Sequence, residues 1–200
     1  MEMIVVSNPV PFKKEPEILN ELFDQGLLVF HLRKPEYTET EYRKLLKEIK
    51  PEHHQKIALH QYHSLAAEFG IHRFHYPEKQ RTERVIPPKL KGQTYSTSVH
   101  YLEDFGQNLS CFDYLLMGPV FNSISKTEYK AMNHKNHPNQ LNNNTIKIFG
   151  IGGITPGNGL KIQKYGFYGA AIMGYLWQQK DPVTAYQLLK KEWNTADQLS

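Results

Sequence analysis

Short apolar runs alternate with amphipathic stretches from one end of the chain to the other. Met3–Ser7, Leu27–Arg33, Lys56–His60, Ile71–His75, Gln93–Ser98, Asp113–Val120, Ile146–Ile151 and Tyr168–Met173 read as eight strands. Helical patterns lie between most of them. Pro16 opens a helix through Phe23 that Gly26 closes, with proline early and glycine just past the end. Thr38 caps the next helix, which carries Glu39 and Glu41 in its first turn and Lys44, Lys47 and Lys50 later, in accord with the helix dipole. Ser64–Phe69 is a short helix closed by Gly70, and Tyr101–Gly106 another. Pro156–Tyr165 and Pro182–Trp193 supply the last two.

Two units are abbreviated. The basic stretch Pro77–Gly92 contains Pro87-Pro88, which excludes a full helix after strand 4. Asn133–Thr145 is rich in Asn and His and reads as a polar loop where the sixth helix belongs. Strands alternating with helices predict a parallel sheet. The expected architecture is therefore α/β, a single-domain (β/α)8 TIM barrel over residues 1–200 with abbreviated helices after strands 4 and 6. A doubly wound open sheet is the alternative. The glycine-ended strands Gly150-Ile151-Gly152-Gly153-Ile154 and Gly169–Gly174 come last, which favours the barrel. Barrels often hold a phosphate with the loops after strands 7 and 8, so a small phosphorylated ligand is expected.

Composition narrows the picture. Two hundred residues make one domain, at the short limit for a complete barrel. No apolar run approaches the roughly 18 residues of a membrane span. The chain starts directly on a strand-like run, so no signal peptide is expected. One cysteine, Cys111, excludes an internal disulfide and suits a cytoplasmic protein, and its setting before an apolar strand reads as packing. The net charge of +4 is spread along the chain, apart from a cluster at Lys79–Lys91. It points to an anionic small substrate rather than nucleic acid. A homo-oligomer is left open.

Chemistry in a barrel sits at the carboxyl ends of the strands. Strand 2 ends in His31-Leu32-Arg33, with His31 and Arg33 on one face and Leu32 on the other. Arg33 can grip a phosphate with two parallel hydrogen bonds, or make a surface ion pair. Strand 5 ends in Ser98-Val99-His100, whose hydroxyl suits an anion or a helix cap. Strand 6 ends in Gly118-Pro119-Val120-Phe121-Asn122-Ser123-Ile124-Ser125-Lys126, where two hydroxyls and a lysine can bind phosphate oxygens.

Taken in order, these elements resemble the thiamine phosphate synthase and TenI-like superfamily. His31-Leu32-Arg33 stands for its Q-x-R element and Ser98-Val99-His100 for its SxH element. Gly118–Lys126 stands for GPxFxTxTK with serine for both threonines, followed by Gly152-Gly153-Ile154 and the glycine-rich last strand. The resemblance implies a thiamine phosphate synthase of thiamine biosynthesis, joining hydroxymethylpyrimidine pyrophosphate to thiazole phosphate with release of pyrophosphate. It assigns Arg33, Ser98 and Lys126 to the pyrophosphate. Ser123, Ser125, Gly152, Gly153, Met173 and Gly174 fall to the thiazole phosphate, and His31 and His60 to substrate contacts.

The family's synthases also hold Mg2+ on two aspartates. Here Gln61 and Pro77 stand at those places, with Glu78 beside the second. Magnesium prefers carboxylate oxygen and water. Two alternatives follow. One is a TenI-like thiazole tautomerase with His100 as acid and base. The other is a non-catalytic thiamine phosphate binder. Finally, His31, His60, His75 and His100 fall at the ends of strands 2 to 5. On one rim they would offer imidazoles to zinc, or simply contact substrate. His53, His54, His134 and His137 read as solvated loop residues.

Overall fold

The computed structural model describes residues 1–101, 109–121 and 146–197, with side chains described to Trp193. Eight parallel strands close a barrel in chain order. They are β1 (Glu2–Val6), β2 (Val29–Leu32), β3 (Ile57–Leu59), β4 (Arg73–Tyr76), β5 (Thr94–Val99), β6 (Tyr114–Met117), β7 (Lys147–Ile151) and β8 (Gly169–Ile172). Closure comes from β1 against β8, with Glu2 opposite Gly169 and Val5 opposite Ile172. A methyl group on Gly169 would sit 2.3 Å from the Glu2 carbonyl oxygen, so glycine is what lets this seam close.

Period-two alternation sorts each strand into a helix-facing and a barrel-facing set. Val5, Phe30, Leu32, Leu115, Met117 and Ile148 join the large outer cluster with the helices. Ile4, Val6, Tyr114, Leu116, Phe149 and Ala171 pack together as a smaller cluster inside the barrel. The inner cluster is drawn from β1 and β6–β8. On β2, β4 and β5 the matching positions are His31, His75 and Ser96, all buried. Buried polar groups need hydrogen-bond partners: His31 meets His60 and Tyr114, and His75 meets Ser96.

The helices follow the sequence closely. They are α1 (Glu15–Asp24), α2 (Glu39–Glu48), α3 (Ala66–Phe69), α4 (Glu78–Thr82), α5 (Gly159–Lys164), α6 (Gly174–Trp177) and α7 (Pro182–Asp197). The Thr38 side chain accepts from the Glu41 N–H while Glu41 reaches back, a complete capping box. The abbreviated helix after β4 is a single turn. The expected helix at Tyr101–Gly106 and the loop at Asn133–Thr145 lie almost wholly outside the described residues.

Three details depart from the sequence reading. Strand 6 stops at Met117, because Gly118-Pro119 leaves the ladder before Val120 N–H rejoins the Ile151 carbonyl at 2.9 Å. The one-turn α6 was not anticipated; four residues are too few for a periodic signal. His53 and His54 are buried rather than solvated, within a 3-10 turn at Pro51–Lys56. His53 Nε2 lies 3.1 Å from Asp24, and His54 Nε2 donates to the Leu46 and Ile49 carbonyls that end α2. They cap and pack, as basic groups at a helix C-terminus do.

Candidate functional site

At the carboxyl ends of the strands lies a cleft of about 480 Å3. Arg33, His60, His75, Glu78, Ser98, His100, Gly152 and Met173 line it, together with Pro77, Gly118 and Pro119. Most of the residues singled out from the sequence therefore meet in one place. His31 is fully buried beneath them. Ser123, Ser125 and Lys126 lie outside the described residues.

The end of β2 is held by side chains where the ladder stops. The Ser7 hydroxyl accepts from the Arg33 N–H and donates to the Arg33 carbonyl, both at 2.8 Å. The Gln61 amide does the same for Lys34: its oxygen accepts from the N–H and its nitrogen donates to the carbonyl, both at 3.0 Å. Below, Lys34 is fully buried and pairs with buried Glu15 at 2.5 Å while donating to the Val10 carbonyl at 3.0 Å. These contacts fix the backbone that projects Arg33 into the cleft. Ser7, Lys34 and Glu15 gave no signal in the sequence, because their role is to hold other backbone in place. Gln61, expected at a degenerate metal position, has both its polar atoms on the backbone.

On the opposite rim the backbone does the work. A methyl group on Gly118 would fall 2.1 Å from the Ile151 carbonyl oxygen. Gly152 has φ +98° and its Cβ would meet Pro119 at 2.8 Å. Only glycine allows the ends of β6 and β7 to approach this closely. The Asn158 side chain donates to the Gly153 carbonyl at 2.8 Å and accepts from the Thr155 N–H at 3.0 Å, which fixes the loop after β7. After β8, Met173 leads into α6, which starts at Gly174. The buried Trp177 indole donates to the Val6 carbonyl at 2.7 Å and anchors this turn. A short extra helix after β8 is a frequent phosphate site in barrels.

Between the rims is a histidine cluster. His31 Nδ1 lies 2.9 Å from His60 Nε2, and His31 Nε2 lies 2.7 Å from the Tyr114 hydroxyl. His75 Nδ1 and Nε2 each lie 3.0 Å from a hydroxyl, of Ser96 and Ser98. Burial, with the Arg73 charge adding to it, pushes the His31 imidazole down to about 3. Burial and neighbouring imidazoles also push His60 and His75 well below the ordinary range. All three are neutral at pH 7 and present lone pairs. His100 differs. Its Nδ1 donates to the Gly118 carbonyl at 2.8 Å, and its Nε2 is 3.6 Å from Glu78, which also faces Arg81 at 3.5 Å. Because a carbonyl oxygen only accepts, Nδ1 carries a proton, and Nε2 is the ring atom that faces Glu78. Cys111 is half-buried against the core, and burial pushes its thiol up, as for a packing residue.

A sequence model of the family described as thiamine monophosphate synthase matches residues 3–176. The chain belongs to this family. It is 30% identical to the thiamine-phosphate synthase of Helicobacter pylori over 118 residues, which are 57% of this chain and 54% of that protein. It is 26% identical to that of Listeria monocytogenes over 132 residues, 64% of this chain and 62% of that protein. These alignments thus span less than two thirds of the curated relatives they match. A thiamine phosphate pyrophosphorylase structure from Bacteroides thetaiotaomicron superposes with a TM-score of 0.77 at 27% identity, over 97% of this chain and 98% of that one. One from Pyrococcus furiosus gives 0.77 at 18% identity over 98% and 96%, a likeness of fold. Among the described residues, no helix is long and apolar enough to cross a membrane.

Within the family frame, the Mg2+ expected from the resemblance does not fit the residues present. Gln61 spends its amide on Lys34, and Pro77 has no ligand atom in its side chain. Glu78 is the carboxylate lining the cleft, and it faces Arg81 and His100. A lone engaged carboxylate is a poor substitute for the two aspartates that the resemblance implies for magnesium.

Proposed function

We propose that this chain is a thiamine phosphate synthase-type transferase of the cytoplasm. It would join hydroxymethylpyrimidine pyrophosphate to thiazole phosphate and release pyrophosphate. The observation that carries this reading is the pairing of Arg33 and Ser98 with Gly152 and Met173 on facing rims of one cleft. Arg33 and Ser98 would hold the pyrophosphate as the carbon–oxygen bond breaks and its electron pair leaves with the phosphate oxygen. Donors preorganised at that developing charge are what such a step needs. Lys126 would add a positive charge to the same group. The loop after β7 and the start of α6, with Gly153, Gly174, Ser123 and Ser125, would take the thiazole phosphate. No part of this sequence is routed through magnesium.

The test is direct. The protein is incubated with both substrates, with and without Mg2+, and thiamine phosphate is assayed. Product in both arms is expected. Absence of product with thiamine phosphate still bound would overturn the transferase in favour of a binder.

One observation favours a second reading. The Gly118 carbonyl orients the His100 ring and leaves Nε2, beside Glu78 at the cleft, to exchange protons as a shuttle on thiazole phosphate requires. If the chain is a TenI-like tautomerase, His100→Asn slows thiazole isomerisation about 100-fold or more. An unchanged rate removes His100 from that role.

A further inference from the structure

Three imidazoles from neighbouring strands meet at the floor of the cleft. His31 comes from β2, His60 from just past β3 and His75 from β4. Each offers one ring nitrogen, and the three nitrogens lie within 4.8 Å of one another. Other polar groups steady the rings: His31 Nε2 meets the Tyr114 hydroxyl, and His75 meets Ser96 and Ser98. His31 is set as metal-binding histidines are, one nitrogen toward the metal and the other on a hydrogen-bond partner, while His75 would give up one of its two hydroxyl partners to ligate. We propose that His31, His60 and His75 form a three-histidine site for a divalent transition metal of the zinc class, with its fourth position open to the cleft.

The ligand chemistry selects the metal. Imidazole nitrogen suits zinc, cobalt and nickel, whereas magnesium takes oxygen. With zinc–nitrogen bonds of about 2.0–2.1 Å, tetrahedral nitrogens stand about 3.3 Å apart. The 2.9 Å between His31 and His60 and the 4.8 Å limit of the trio bracket that value. Loading would exchange the His31–His60 hydrogen bond for metal bonds. It would also splay the His60 and His75 rings, which stack at 4.0 Å and 19°. His60 and His75 line the cleft while His31 closes the site from below, so the open position faces Arg33 and Ser98. A neutral ligand set leaves the full metal charge for an anionic ligand. The inference concerns metal binding alone and does not depend on which thiamine-related reaction the cleft performs.

The experiment uses the full chain, purified without an affinity tag, stripped with a chelator and titrated with Zn2+ and with Co2+. One equivalent per chain, the visible bands of four-coordinate cobalt and a raised Tm are expected, with excess Mg2+ failing to compete. His60→Gln, at the cleft surface, abolishes the cobalt bands while circular dichroism stays unchanged. Tyr114→Phe removes only a hydroxyl behind His31 and weakens zinc about tenfold, which keeps the test decisive should His60→Gln misfold. No stoichiometric binding, undiminished binding by folded His60→Gln, or unchanged affinity in Tyr114→Phe would each overturn the site.

Discussion

The two rims of the cleft are built from different materials. Around β6–β8 the surface is backbone: Gly118 and Gly152 let the strand ends close up, and Met173 leads into a one-turn helix. Around β2–β5 it is side chain: Arg33, His60, His75, Ser98 and His100. A backbone rim offers N–H groups whose positions the fold sets, so it can hold a phosphate whatever reaction follows. A side-chain rim changes its chemistry with each substitution. The glycine rim therefore carries the phosphate site proposed above, and the histidine rim holds the side chains in which the proposed chemistry resides.

That contrast is open to test from both sides. The largest expected effect is on the backbone rim. Gly118→Ala puts a methyl into the Ile151 carbonyl and should cost about 3 kcal/mol in denaturant unfolding. A loss near zero would show that the two strand ends separate freely. Acid should act on the histidine rim. In the metal-free protein the unfolded chain takes up a proton at His31 near the ordinary value of 6.5, while the folded protein resists until about 3. The stability tied to neutral His31 is thus fully present above pH 6.5 and falls as the pH drops through that window, by about 1.4 kcal/mol per pH unit. His60 and His75 steepen the fall. Urea unfolding at pH 7, 6 and 5 measures it, and a slope unaffected by His75→Gln would remove His75 from the effect. The smallest effect is at the end of β2. Gln61→Ala removes two hydrogen bonds to Lys34 and should cost about 1–2 kcal/mol, with weaker pyrophosphate binding by Arg33. Unchanged pyrophosphate affinity would mean that Arg33 needs no such support.

Much of the fold could be read along the chain. All eight strands were anticipated within a few residues, because each is an apolar run bounded by turn residues. The Thr38 cap was legible for the same reason: a capping box needs only four consecutive residues. The site was legible where one strand end carries its own chemistry, as at His31-Leu32-Arg33, whose two faces separate as alternation requires. It was hidden where a residue serves a partner distant in sequence. Ser7 binds Arg33, Glu15 binds Lys34 and Trp177 binds Val6, and no local pattern announces such pairs. His53 and His54 were misread because a polar dipeptide after a helix looks solvated until packing on Asp24 and the end of α2 buries it.

The sequence by itself determined the eight-fold alternation, the glycines at the last strand ends and the residue types at each strand terminus. Hydrophobic periodicity and backbone sterics are local, so they survive in one dimension. Only the tertiary structure decided that three histidines from successive strands converge, that they are neutral, and that Gln61 supports backbone rather than facing the cleft. Barrel closure sets those distances, and burial sets those charges. Both depend on strands that meet only when the sheet is complete.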